Sequence, residues 1–358
     1  MSSSFSLLDA AIGSDRKDWL SLWQQWSTRE VFAHPSYVEL FARPYERSLC
    51  AALTVNNEPK VLFTFILRNI KNAPWCTQLK INAYDITSPY GYGGPFCCDL
   101  DTSVGDVFWN SFDTWAKEMG VVTVFARLSL FKNQILPFRG ATVNTAPNVV
   151  RGLELSEQSV WADYAYKVRK NVTRARLSGL TIEVDLVGNR LTEFLEIYYL
   201  TMARRSAEEG YFFPQEFFKQ LIEQLSGQFA FFHVISRDRV VSTELILLSA
   251  DNIYSFLGGT REESFELRPN DFLKHEVIRW GIACGKKAFV LGGGYQAGDG
   301  IFRYKSSFAP NGVVEFQTGI RTLDPDLSEQ LVGLRHSWEA SQSREWSPRL
   351  NYFPAYRG

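Results

Sequence analysis

The sequence predicts an α/β protein of two tandem domains, each a central mixed β-sheet flanked by helices. Two observations carry this. The order helix, helix, hairpin, strand, glycine loop, long helix, strand occurs twice along the 358 residues, and Gly120 and Gly285 stop the long helix in equivalent slots of the two halves. The length also exceeds what one ordinary core fills, because cores stop growing and longer chains split into domains.

In the first half, Trp19, Leu22, Trp23 and Trp26 recur at helical spacing, and Pro35 opens a second short helix through Tyr37, Val38 and Phe41. Residues 46–55 and 60–69 are β-rich, and Asn56 and Asn57 between them tolerate the positive φ that a tight hairpin requires. A third strand over 79–87 runs into the loop from Ser88 to Pro95, where three glycines and two prolines exclude regular structure. Phe108, Phe112, Trp115 and Met119 then form a helical stripe that ends at Gly120, and residues 121–125 read as a buried strand.

The second half repeats the grammar. Leu191, Phe194, Leu195, Tyr198 and Met202 mark one helix, and Pro214 with Phe217, Phe218, Leu221 and Leu225 marks the next. A hairpin follows, 229–236 with 240–249, and then a strand over 253–257 that ends in Gly258-Gly259. The long helix starts near Asn270, carries Leu273, Val277, Trp280 and Cys284 on one face, stops at Gly285 and gives way to a strand over 288–291. Between the halves, Trp161, Ala165, Val168, Val172 and Ala175 form the apolar stripe of a helix over 161–176, with Lys167, Arg169, Lys170, Arg174 and Arg176 on its other faces.

Composition narrows the function classes. Lys plus Arg (38) nearly balances Asp plus Glu (39), so no global field draws the protein to nucleic acid or anionic lipid, and such binding needs a local patch. Aromatic residues make up 15% of the chain, enough to build thick cores and to line a cleft. No apolar run approaches a membrane span, and the segment from Met1 to Leu8 lacks the features of a secretory leader. The five cysteines, Cys50, Cys76, Cys97, Cys98 and Cys284, are odd in number and lack zinc-ligand spacing; they are expected to be reduced, in cytoplasm.

Several familiar sites are excluded by spacing. His275-Glu276 begins like a zinc-protease motif, but Arg279 stands where the second histidine belongs. Gly292 to Ala297 satisfies G-x-G-x-x-A after a strand, yet Gly298-Asp299-Gly300 follows instead of the helix a dinucleotide site requires. Gly281 to Lys287 is one residue short of a phosphate-binding loop, and no hydrolase nucleophile elbow is present.

The most specific string runs through Leu267-Arg268-Pro269-Asn270, Trp280-Gly281, Gly285-Lys286-Lys287 and Leu291-Gly292-Gly293-Gly294 to Phe302-Arg303-Tyr304-Lys305-Ser306-Ser307-Phe308. With Lys167 to Ala175, and the helix pair from Tyr198 through Arg204 to Pro214, it resembles the FemABX peptidyltransferase superfamily over roughly 155–320. The element order likewise resembles the GNAT (acyl-CoA N-acyltransferase-like) fold, found twice. The repeated element order predicts an N-terminal GNAT-like domain over 1–155, a C-terminal one over 156–322 and a tail over 323–358 packed on the first, and the resemblance implies that the C-terminal domain carries the active site.

The same resemblance implies a transferase that moves an aminoacyl or acyl group onto an amine of a peptidoglycan or polysaccharide sugar-nucleotide precursor. No cofactor is held tightly, and the donor is either aminoacyl-tRNA or acyl-CoA. The acyl-CoA pyrophosphate pattern departs from the usual one: Ser88 stands first in its first-half counterpart, and the second half lacks it. The basic helix 161–176 either contacts tRNA phosphates or is merely solvated. Of a different class is the reading that the duplicated fold binds a sugar nucleotide or partner without turnover.

Such a reaction needs a deprotonated amine, a polarised carbonyl and a dry cleft. Lys305 matches the family lysine and either stabilises the developing oxyanion, holds a phosphate or faces solvent. Glu244, mid-strand, faces either the cleft as a base or solvent. Arg204, Tyr211 and Tyr254 are candidate acceptor contacts or structural groups, and Tyr90 and Tyr92 either stack on a sugar or base or pack on their own domain. The substrate groove is expected between strands 253–257 and 288–291, walled by Tyr254, Gly258 and the loop from Gly292 through Gly293 to Gly300.

Overall fold

A computed structural model describes residues 3–76, 82–97, 102–296 and 298–358. It divides into two compact units: 1–27, 32–145 and 316–358 form the first, and 28–31 with 146–315 the second. The chain therefore leaves the first unit and comes back to it.

The first unit begins with β1 (Ser3–Asp9), α1 (Gly13–Gln25) and α2 (Pro35–Glu39). Trp19 and Trp23 bury the inner face of α1, and Pro35 occupies the first turn of α2, where a missing N–H costs nothing. Then come β2 (Arg47–Val55) and β3 (Glu58–Asn69). Asn56 and Asn57 join them at φ 51° and 67°, the left-handed pair whose twist matches a two-residue hairpin. Next are β4 (Tyr84–Thr87), β5 (Pro95–Cys97), α3 (Thr102–Met119), β6 (Val121–Arg127) and β7 (Ala141–Asn144). Phe112 of α3 locks against Phe63 and Phe65 of β3, with centroids 5.5 and 6.0 Å apart, and Phe108 packs 6.0 Å from Phe5 of β1. Each fully buried ring of this kind contributes about 1.5–3 kcal/mol.

The second unit opens with β8 (Asn148–Gly152), α4 (Glu157–Asp163) and α5 (Tyr166–Leu177). The sequence implied one helix over 161–176; the structure breaks it at Tyr164 and Ala165, both extended. Arg169 sustains the break, because its guanidinium donates to the Ala162 carbonyl at 2.9 Å and to that of Tyr164, replacing bonds a continuous helix would make. The unit continues through β9 (Thr181–Asp185), α6 (Leu191–Arg204), α7 (Gln215–Gln224), β10 (Phe229–Ser236), β11 (Arg239–Leu248) and β12 (Asn252–Thr260). It closes with α8 (Pro269–Ala283), β13 (Ala288–Gly293), α9 (Gly300–Ser306) and β14 (Val313–Val314). Arg237 and Asp238, at φ 49° and 63°, make the second tight hairpin.

The chain then returns to the first unit as β15 (Gln317–Thr322) and α10 (Pro325–Ser341). Among the described residues, the first sheet has eight strands in the order β1-β2-β3-β4-β6-β15-β7, with β5 on β3, and the second has seven in the order β14-β8-β13-β12-β11-β10-β9. Each is mixed, with β4 parallel to β6 and β12 parallel to β13. Leu327 and Leu331 of α10 share a core with Ile70, Trp75, Val122 and Tyr356 of the first unit.

Among the described residues, no helix is long and apolar enough to cross a membrane. Cys50, Cys76 and Cys284 carry free thiols, and Cys98 lies outside the described residues. Cys50 is buried and its thiol pushed up by burial, whereas Cys284 is exposed. In the native protein a thiol reagent should therefore label Cys284 quickly and Cys50 only after unfolding, as read by peptide mass spectrometry; fast native labelling of Cys50 would contradict the packing.

Candidate functional site

The site grows from a split in the second sheet. β12 and β13 run parallel and pair over three positions, Asn252↔Ala288, Ile253↔Phe289 and Tyr254↔Val290. Beyond these the two strands no longer pair: β12 stays with β11 and β13 stays with β8, with Gly292 opposite Val149 and Gly293 opposite Asn148. Gly258 is required on the β11 side, where a Cβ would lie 2.4 Å from the Thr243 carbonyl oxygen.

α8 packs on β10 to β13 and is buried on nearly every face, so each of its polar side chains must find a partner. Lys274 donates to the Glu244 carboxylate and, at 2.9 Å, to Ser255 Oγ; Ser255 in turn donates to Glu244. Both charged groups are about as buried as core leucines, Lys274 at 5% and Glu244 at 6% exposure. His275 sits between Tyr164 Oη at 3.3 Å and Arg176 at 2.8 Å, and burial, reinforced by Arg176 and Arg279, pulls its pKa down to about 3. It is a neutral packing group.

Lys305 rides on α9. Asp299 caps that helix, accepting from Phe302 N at 2.7 Å, and its second oxygen accepts from Tyr295 N at 2.7 Å, so one carboxylate orders the loop before α9 and starts the helix. The Lys305 ammonium donates to the Gly293 carbonyl at 2.7 Å, at the end of β13 where the strands have parted. Burial pulls its pKa down to about 8; Lys274 repels it further, and Glu244 and Asp299 oppose the shift. Beside it, the Tyr304 hydroxyl is buried and meets no partner among the described residues. Burial, with Asp271 and Glu244 nearby, pushes that phenol up, so it remains a proton donor.

The structure thus brings Lys305 and Glu244 into one electrostatic neighbourhood, with Gly293 as the ammonium's acceptor and Gly258 opposite Glu244 on the neighbouring strand. One oxygen of the Glu244 carboxylate, Oε1, is engaged by Lys274 and Ser255, and the group is buried rather than solvated. Tyr211 borders the loop after β13, its ring 5.9 Å from that of Tyr295. Arg204 reaches the far end of β12, donating to the Thr260 carbonyl at 3.2 Å with its guanidinium 4.9 Å over Phe265. Tyr254 is not brought to the cluster: it is 2% exposed and its hydroxyl donates to Glu30 at 2.7 Å. Tyr90 and Tyr92 belong to the first unit, where Tyr92 packs edge-on to Phe32 and Phe316 at 5.5 and 5.4 Å. Sequence reasoning missed Lys274, Ser255 and Tyr304. The available signal for Lys274 was a lysine inside an otherwise apolar helical run, and for Tyr304 its place directly before Lys305.

Among the described residues, no group of His, Cys, Asp and Glu is placed to hold a metal ion. The arrangement offers a lysine ammonium at the end of the strand split, with a buried phenol on the same helix and a buried ion pair nearby.

Residues 162–306 match the family model described as acetyltransferase (GNAT) domain. No curated protein is significantly similar to the chain in sequence. Among solved structures, FemX superposes with a TM-score of 0.66 at 11% identity, covering 92% of this chain and 99% of that one. The C-terminal domain of a protein named as a lysylphosphatidylglycerol synthetase, from Agrobacterium fabrum, gives 0.53 at 12% identity over 86% and 91% of the two chains. L-PGS from Bacillus licheniformis gives 0.51 at 13% identity over 86% and 91%. The matched region and the split sheet give the second unit a GNAT-type fold. More narrowly, the fold is that of FemX, with two GNAT-like units.

Proposed function

We propose that the protein transfers an aminoacyl or acyl group onto an amine of a cell-envelope precursor, a sugar nucleotide or a peptidoglycan precursor, and that the reaction takes place at the second-unit split. The observation that carries this reading is the Lys305 ammonium held on the Gly293 carbonyl where β12 and β13 diverge. A carbonyl lodged in the split would meet that ammonium, and as it becomes tetrahedral its oxygen gains charge that a fixed donor stabilises most. Arg204 and Tyr211 would contact the acceptor from the α6 side, and no covalent nucleophile is needed. The likeness to FemX and to proteins named for lysylphosphatidylglycerol synthesis supports an amino acid carried by tRNA as one donor, and the GNAT domain supports acyl-CoA as the other.

The test supplies the protein with charged tRNA or with acyl-CoA, together with amine acceptors that include sugar nucleotides, and reads amide products by mass spectrometry. An amide formed from one donor alone identifies it. Binding of acceptor without product from either donor would replace this reading with that of a non-catalytic binding module.

A further inference from the structure

The first unit contains a recess of about 550 Å³ built wholly from its own residues, a size that suits a small ligand. Four arginines line it, Arg43, Arg68, Arg335 and Arg357, against one lining acid, Glu46.

The carboxylates behind the wall leave the positive charge in surplus. Asp85, fully buried on β4, faces its cross-strand partner Arg68 on β3 and also accepts from Arg357 Nε at 2.9 Å, so one carboxylate serves two guanidinium groups. Glu339 on α10 is shared in the same way by Arg335 at 3.1 Å and Arg344 at 2.9 Å. Arg335 is further fixed between the rings of Trp75 and Trp346, at 5.9 and 5.0 Å. One guanidinium nitrogen of Arg357, Nη2, is buried and meets no acceptor among the described residues. At the mouth stand three tyrosines more than a third exposed, Tyr45, Tyr90 and Tyr352, flat faces on which a ring can lie.

We infer that this recess is a second ligand site, for a small molecule that carries an oxyanion, a phosphate ester or carboxylate, on a ring. The guanidinium forks of Arg68 and Arg357, preset by Asp85, take the oxyanion; Arg43 supplies a further cation at the rim, and the tyrosines take the ring. The site shares no residue with the Lys305 cluster and stands whether or not that cluster is catalytic.

Titration calorimetry of the full chain with adenosine 5′-monophosphate, benzoate and uncharged adenosine tests it. Saturable, salt-sensitive binding of one or both charged probes, with adenosine much weaker, is expected; which probe binds tells phosphate from carboxylate. Arg357→Gln should weaken that binding by roughly tenfold or more, the loss of one charge-assisted hydrogen bond. Should that variant not fold, Arg43→Gln on the loop after α2 should weaken it by severalfold. Failure of both charged probes to bind, or affinities unmoved by the folded variants, would overturn the proposal.

Discussion

Replacing Lys305 with alanine should lower kcat by roughly two to three powers of ten, the scale for losing one oxyanion donor, with little change in folding. Lys305→Met, which keeps the stem and removes the charge, should behave alike. Since burial pulls the ammonium down to about 8, the rate should fall as pH rises through that value and the proton is lost. Lys305→Arg, protonated throughout, should flatten that limb even if its geometry lowers the rate. The stability signature has a definite sign. The folded state holds this proton less tightly than the unfolded chain does. Its penalty is therefore full below about 8 and disappears as pH rises toward the ordinary lysine value, so stability increases across that window. Full turnover by the alanine or methionine variant would remove Lys305 from the chemistry and leave the fold standing.

Lys274→Met should destabilise the second unit by about 3–5 kcal/mol, because it removes the ion-pair partner of the Glu244 carboxylate in a buried site and leaves the Ser255 hydroxyl as its hydrogen-bond donor. Pairing the change with Glu244→Gln should restore most of the stability, since removing both charges of a buried pair costs far less than removing one. Hydrogen exchange in β11 and α8 localises the effect. Removing Lys274 also removes the repulsion that helps depress Lys305, so in whatever fraction folds the alkaline limb of the rate profile should move to higher pH. A limb that stays put, or a double variant no better than the single, would show that the three groups do not act together.

Local elements were legible where one residue type decides the backbone. Asn56-Asn57 marked the first hairpin, Gly120 and Gly285 ended the long helices, and Phe108 with Phe112 declared the buried face of α3. Lys305 and Glu244 could be singled out, but not the state of Glu244. Strand alternation cannot say that a lysine thirty positions later on another element will neutralise it. Tyr254 misled for a similar reason: a tyrosine next to a strand split looks like a wall of the groove, but its partner, Glu30, arrives from a four-residue segment far upstream. The exchange of β15 was invisible because register and sheet membership are long-range properties that a six-residue strand does not announce.

That return strand has a consequence for how the molecule is made. β15 lies between β6 and β7, so the first sheet lacks an interior strand until the ribosome has passed residue 322, by which time nearly all of the second unit has emerged. The nascent first unit must wait with the edges of β6 and β7 unsealed, whereas 146–315 can close around its own sheet as soon as it is synthesised. The part that comes first in the gene is finished last, and a fragment cut after residue 145 would carry an unfilled slot in place of a domain.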